Sequence, residues 1–320
     1  MLNRRDLLRW LGRGALGTSA LAAGCGPRSH QNPHSPPQET PPTDTPDFTV
    51  GFLTDSHVFP EQGAPDGSRR AFEHAMALDR PPEVILTGGD LVFDLLAVGH
   101  ESAKTQLDLF DQAIAPVTVP IHHTMGNHDL FGLYPDSGIA ADDPLRGKQY
   151  FLDHFGLEKT YRSFDHEGWH FVILDTMEIV DDHYRGWVDE EQLAWLEDDL
   201  ASSGKPTVVV GHIPLFSNYV EWNYGTSEGI SERVTVVNSH EVAKVLMRHP
   251  VKLVLAGHLH VNETFQYKGI HFANVGAISG NWWRGLRDGF EEGYAILEFR
   301  GDEVDWNYVD YGWEAKTDEA

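Results

Sequence analysis

The sequence predicts an α/β fold in which two packed β-sheets carry helices on their outer faces. Three observations lead there. From residue 48 to residue 248, short apolar runs alternate with longer segments of helical periodicity. After Gly257 the pattern changes to strands alone. No internal repeat and no domain-splitting linker follows residue 47, so 48–320 reads as one domain. A sheet exposes an apolar face that needs cover. Two sheets packed together, with helices outside, accommodate both the α/β half and the β-rich end.

The apolar runs at 48–54, 83–87, 117–124, 169–174, 207–210 and 252–256 have the length and composition of buried strands. Helical patterns lie between several of them, at 68–78, 99–114, 189–200 and 238–248. In the third of these, Leu193, Leu196 and Leu200 form an apolar stripe beside Glu197, Asp198 and Asp199. The closing segments 263–267, 270–274, 293–299 and 304–308 read as strands.

Residues 1–24 read as an address. Asn3-Arg4-Arg5-Asp6-Leu7-Leu8 precedes a Gly/Ala-rich apolar stretch at 11–23 and resembles a twin-arginine export signal. The stretch is shorter than the roughly 20 residues a membrane span needs. Leu21-Ala22-Ala23-Gly24-Cys25 resembles a bacterial lipobox, which implies cleavage before Cys25 and a lipid on its thiol. Cys25 is the sole cysteine, so no intrachain disulfide forms. Residues 25–47, rich in Pro, Ser and Thr, form an extended linker that holds the domain off a membrane. The expectation is twin-arginine export and a membrane-anchored lipoprotein facing the periplasm or cell exterior.

Charge narrows the partners. The chain has 24 Lys+Arg and 49 Asp+Glu; residues 1–24 hold four Arg and one Asp, which leaves 20 basic and 48 acidic residues, a net of −28. Such a surface repels a polyphosphate backbone, and nucleic acid is not expected as a partner.

The chemistry lies where apolar runs end. Phe52-Leu53-Thr54 is followed by Asp55-Ser56-His57, Val84-Ile85-Leu86 by Gly88-Gly89-Asp90, and Ile121 to Met125 by Gly126-Asn127-His128-Asp129. Val208-Val209-Val210 leads to Gly211-His212, and Leu253-Val254-Leu255 to Gly257-His258-Leu259-His260. In open α/β sheets the carboxyl ends of the strands converge on one rim, where ligands bind. The glycines permit the tight turns this requires. Imidazoles, carboxylates and one amide suit divalent ions such as Mn, Zn or Fe. Two neighbouring ions can clamp the attacking and leaving oxygens of a phosphoryl displacement and activate water.

Taken together, Asp55-x-His57, Gly89-Asp90, Gly126-Asn127-His128-Asp129, Gly211-His212 and Gly257-His258-x-His260 resemble the calcineurin-like metallophosphoesterase superfamily. The resemblance implies a four-layer αββα sandwich of two mixed β-sheets flanked by helices. It also implies two divalent metal ions, with Asp55, His57 and His260 on the first, Asn127, His212 and His258 on the second, and Asp90 bridging them. His128 would be the general acid toward the leaving group, and Asp129 would orient it. Where purple acid phosphatases carry an iron-ligating Tyr, this chain has Phe93, so no purple chromophore is expected. The Asp-x-His form, with Gln192-Leu193-Ala194-Trp195-Leu196 ahead of the fourth block, looks closest to class III cyclic nucleotide phosphodiesterases.

The implied function is hydrolysis of small phosphomonoesters or phosphodiesters. An exported nuclease, a nucleotide or phospholipid head-group phosphodiesterase, and a non-catalytic metal-binding lipoprotein are the alternatives. For the substrate, the irregular stretch after His212 offers Phe216, Tyr219, Trp222 and Tyr224, and Asn281-Trp282-Trp283-Arg284 follows a later strand. Arg284, Tyr219 and Trp222 are the candidate contacts. His122 and His123 read as core or supporting residues. His154, His166, His170 and His183 show no ligand spacing.

Overall fold

The computed structural model describes residues 45–225 and 230–315. The address segment, Cys25 and most of the linker lie outside the described residues. The fold class is as the sequence predicts. A five-stranded mixed sheet has the order β13-β12-β1-β2-β3: Glu303–Asp310, Gly293–Arg300, Phe48–Leu53, Val84–Thr87 and Ile121–His123. A six-stranded mixed sheet has the order β10-β11-β9-β8-β5-β4: Glu263–Tyr267, Ile270–Asn274, Val251–Ala256, Thr207–Val210, Trp169–Ile173 and Arg162–His166. In the first sheet β1, β2 and β3 run parallel out to one edge and antiparallel β12 and β13 continue the other side; in the second, β5, β8, β9 and β11 run parallel between the antiparallel edge strands β4 and β10.

The period of two along each strand builds the layers. Phe48, Val50 and Phe52 of β1, Phe171 of β5, Val208 and Val210 of β8 and Leu297 of β12 face one another in the core between the sheets. The alternate residues face outward. Leu53 and Ile85 join Phe72 of α1 (Ala64–Met76) and Phe110 of α2 (His100–Ile114), while Val172, Val209 and Val254 join Leu196 and Leu200 of α4 (Glu190–Ser203) and Leu246 of α6 (Ser239–Leu246). Each such side chain, taken fully from water, contributes roughly 1.5–3 kcal/mol.

Several elements depart from the expected bounds. The run at 117–124 pairs only over Ile121–His123. Pro116 and Pro120 bracket the first half, and proline lacks the N–H that a ladder uses. Helix α1 begins at Ala64, with Pro65 in its first turn where that missing N–H is harmless. The hairpin β6–β7 (Met177–Val180, His183–Gly186), helix α3 (Gln149–Phe155) and edge strand β4 have weak apolar patterns and were not expected. Helix α5 (Asn218–Tyr224) interrupts the stretch read as irregular; Ser217 caps it, its Oγ accepting from the Val220 N–H.

Candidate metal centre

All five motif blocks sit where parallel strands end: after β1, β2 and β3 of one sheet and after β8 and β9 of the other. Turning the chain there requires unusual backbone. Asp55, His57, Asp90, His258 and His260 all have φ between 41° and 71°. The left-handed region costs a non-glycine residue on the order of 1–3 kcal/mol, and it persists where function over-determines it. Gly126 is a glycine because a Cβ there would lie 2.1 Å from the backbone N of Asp90.

The side chains meet in two groups sharing one carboxylate. In the first, His57 Nε2 is 3.0 Å from His260 Nε2, and His260 Nε2 is 3.2 Å from Asp55 Oδ1. His57 Nε2 also lies 3.5 Å from Asp90 Oδ2. In the second, His212 Nε2 lies 3.2 Å from Asp90 Oδ2, 3.1 Å from Asn127 Oδ1 and 3.3 Å from His258 Nδ1. Asp90 therefore faces both groups. Its Oδ1 accepts from the His128 N–H at 2.8 Å.

The far side of the imidazoles fixes their tautomers. His260 Nδ1–H donates to Gly280 O at 2.6 Å, His212 Nδ1–H to Gly88 O at 2.8 Å, and His258 Nε2–H to Arg233 O at 2.9 Å. Each ring then presents the lone pair of its other nitrogen to the cluster when neutral, which is how ligating histidines are held. Thr54 Oγ1–H and the His258 N–H donate to the Asp55 carboxylate. Among the four imidazoles of the two donor groups, His57 alone has a far-side nitrogen, Nδ1, without a partner.

Burial and charge set the protonation states. Burial pushes the Asp55 carboxyl up, but His260 and His212 outweigh it and hold it near 2. Burial also opposes ionisation of Asp90, and His212 and His128 overcome it. Burial depresses His57 strongly; burial and the neighbouring His212 take His258 down to about 4. For His212 the carboxylate of Asp90 outweighs burial and raises it to about 9. Converging nitrogens beside two ionised carboxylates, buried except for the partly exposed His258, form a donor set that fits divalent cations. Atoms that share an ion at about 2.0–2.2 Å stand roughly 3–3.5 Å apart.

His128 stands beside this cluster. Its ring meets that of His57 edge to face at 4.8 Å, and its Nδ1 is buried without a partner. Asp129, expected to orient it, has backbone partners for its carboxylate. Asp129 Oδ1 accepts from the N–H groups of Leu91 and Val92, and Oδ2 from that of Gly126. The carboxylate thus ties the loops after β2 and β3 together and is spent on backbone; burial and the charge of Asp90 raise it to about 8. Asp94, which the sequence reading missed, is a second carboxylate, besides Asp90, that interacts electrostatically with His128. Burial pushes its carboxyl up and His128 pulls it down. Its spacing of four from Asp90 is the signal that was available.

The expected substrate contacts have other surroundings. Arg284 is exposed and lines a cleft with Glu291, Glu292 and Asp310. Tyr219 Oη donates to Asp288, and Trp222 is 88% exposed. Instead Trp282 packs against His260 (4.7 Å between ring centroids) and His57 (5.8 Å), and the Arg287 guanidinium lies over the Trp282 ring at 5.4 Å. Arg287 Nε is buried without an acceptor. Trp282 and Trp283 both have positive φ, 51° and 67°, a genuine outlier for so bulky a residue. Their fold is pinned by Trp283 Nε1–H, which donates to Ser56 O and His57 O. The remaining histidines are accounted for elsewhere: His122 stacks on Phe164, His123 pairs with Thr87, and His154, His166, His170 and His183 face carboxylates. Phe93 stacks on Phe59.

Comparison with known proteins follows the same lines. Residues 48–262 match the Calcineurin-like phosphoesterase family, and residues 273–318 match the C terminal of Calcineurin-like phosphoesterase. A 3′,5′-cyclic-nucleotide phosphodiesterase from Nostoc sp. is 28% identical over 192 residues, 59% of this chain and 60% of that protein. A cAMP/cGMP dual specificity phosphodiesterase from Mycobacterium tuberculosis is 25% identical over 236 residues, 70% of this chain and 65% of its own. A manganese-dependent ADP-ribose/CDP-alcohol diphosphatase from Homo sapiens is 21% identical, covering 56% and 63%. The chain thus spans less than two thirds of the length of these relatives. Among solved structures, a dimetal phosphatase from Danio rerio shares the fold with a TM-score of 0.59 at 16% identity, covering 83% of this chain and 97% of that one. Five strand-end motifs, the shared Asp90 carboxylate and a family match over most of the domain lead to one conclusion: this chain belongs to the calcineurin-like phosphoesterase family.

Proposed function

We propose that the protein is a metal-dependent hydrolase of small phosphate esters, acting on diesters or monoesters, with two divalent ions as cofactors. The observation that carries this is Asp90, whose carboxylate lies 3.5 Å from His57 Nε2 in one donor group and 3.2 Å from His212 Nε2 in the other. Asp55, His57 and His260 would hold the first ion, Asn127, His212 and His258 the second, and Asp90 could serve either. Two adjacent divalent ions supply Lewis acidity toward the phosphoryl oxygens and an activated water. Manganese, zinc and iron all suit the donors, and a manganese-dependent relative supports the first. His128 donates its proton to the leaving oxygen. The Asp94 carboxylate interacts electrostatically with that imidazole. Arg287, laid on Trp282 beside the first donor group, pairs with anionic oxygen of the substrate in the role first considered for Arg284.

The phosphodiesterase relatives support a diester with a nucleotide-like leaving group. The acidic surface disfavours nucleic acid. Export by the twin-arginine route and a lipid on Cys25 place the enzyme on a membrane, facing the periplasm or cell exterior; the motif at 21–25 supports this part.

Metal analysis tests the core of the reading. Purified protein should carry close to two ions per chain. Exhaustive chelation should abolish cleavage of bis(4-nitrophenyl) phosphate, and Mn or Zn should restore it. Asp90→Ala should deplete both ions, whereas Asp55→Ala should deplete chiefly one. Full activity after demetallation would defeat the proposal.

A further inference from the structure

Away from the candidate metal centre, a cleft of about 410 Å³ opens between the loop 284–292 and the end of the chain, lined by Glu291, Glu292, Asp310, Glu314, Arg284 and Trp313, with small and apolar residues between them. Three of its carboxylates are exposed. Glu292 is not: it is 3% exposed, and its Oε1 has no hydrogen-bond partner. Leaving a buried carboxylate oxygen unpaired costs several kilocalories per mole unless a ligand pairs it or a proton neutralises it. Burial, with the charges of Asp310 and Glu291, also pushes the Glu292 carboxyl up. Two guanidinium groups lie close by, Arg284 in the lining and Arg70 against Gly312. Set against four carboxylates, they leave a surplus of two negative charges. Every anionic ligand atom offered is a carboxylate oxygen, the donor that hard cations take. The indole Nε1–H of Trp313 is likewise without a partner, and an ion's water of hydration could accept from it.

We propose that this cleft binds one hard divalent cation of the calcium type, held by Glu292 together with Glu291, Asp310 and Glu314. The ion joins the loop 284–292 to the segment after β13. It also braces Gly280, against which Glu292 packs so tightly that a Cβ on that glycine would lie 2.9 Å from Glu292 Cγ. With mostly exposed, flexible ligands the dissociation constant should be on the order of 10⁻⁴–10⁻³ M, the range of extracellular calcium modules.

Terbium tests this directly, because a tryptophan in the lining can sensitise its emission. In full-length protein whose metal centre has been saturated with Zn, Tb³⁺ should give emission that Ca²⁺ displaces. Glu292→Gln, nearly isosteric, should weaken Ca²⁺ competition at least ~10-fold. Trp313→Phe should dim the emission while leaving Ca²⁺ stabilisation in thermal unfolding intact. Asp90→Ala should keep the signal, which separates this site from the metal centre. Should Glu292→Gln fold poorly, the exposed pair Glu291→Gln with Asp310→Asn should also weaken binding. No Ca²⁺-displaceable emission in the wild type, an unchanged affinity in a folded Glu292→Gln, or loss of signal in Asp90→Ala would overturn the site.

Discussion

The Nδ1 atom of His128 is buried without a partner, while the adjacent carboxylate of Asp129 is engaged by three backbone N–H groups. Neighbours in sequence therefore have different surroundings: Asp129 builds the rim, and His128 is the residue proposed to meet the leaving group. If His128 protonates the leaving oxygen, its value scales with how poor that leaving group is. His128→Ala should retain the ions and slow alkyl or ribosyl esters by up to about 10⁴-fold, the upper range for general acid catalysis. A nitrophenyl ester, whose leaving group needs little protonation, should be far less affected. Asp94→Asn should show the same trend more mildly, because Asp94 acts through the imidazole; Asp129→Asn should instead lower stability, since it loosens the Leu91, Val92 and Gly126 contacts. A leaving-group series of kcat/KM decides the matter. A parallel drop for every ester, appearing mainly in KM, would assign His128 to phosphate binding instead.

At the scale of elements, what was legible in the sequence is what strands impose. A buried strand needs a continuous apolar run, and the polar residues that follow it are conspicuous; Asp55, Asp90, Asn127, His212 and His258 were all found that way. Edge strand β4 and hairpin β6–β7 are half-exposed, carry no such run, and were missed. Trp282, in the run 281–284 noted after a later strand, packs on the donor groups, and Arg287 lies over its ring through a loop whose course depends on tertiary contacts, so no local pattern announces Arg287. One such contact can be tested. Gly67 lies inside α1, where alanine would ordinarily gain about 1 kcal/mol of helix propensity. Here its Cβ would come 2.1 Å from Trp283 Cζ3, and overpacking of that kind typically costs about 1–3 kcal/mol. Since Trp283 Nε1–H is tied to Ser56 O and His57 O, the displaced ring would disturb the first donor group as well. Gly67→Ala should lower Tm and loosen one ion, and Trp283→Phe in the same chain, which removes Cζ3 of the indole, should recover part of the Tm loss. A rise in Tm for Gly67→Ala alone would show that propensity wins and that the ring gives way at no cost.

For the molecule as a whole, the family match begins at residue 48, and the proposed lipid attachment lies at Cys25, a separation of 23 residues rich in proline, serine and threonine. A segment of that composition does not bury enough apolar surface to build a core of its own. Anchoring and catalysis should accordingly be separable. Cys25→Ala should move activity from the membrane fraction to a soluble or signal-retaining form, with kcat/KM on a small soluble diester unchanged. Replacing Arg4 and Arg5 together by lysine should keep the protein inside the cell, because the paired arginines are what the export route reads. A single acyl chain gives only marginal membrane binding, and the strongly acidic domain adds no electrostatic attraction to anionic lipid. Stable retention would therefore need a second anchoring signal besides one acyl chain. Unchanged membrane fractionation of Cys25→Ala would remove the anchor from the account and leave the candidate metal centre untouched. A fall in kcat/KM for the released form would show instead that the linker contributes to the folded domain.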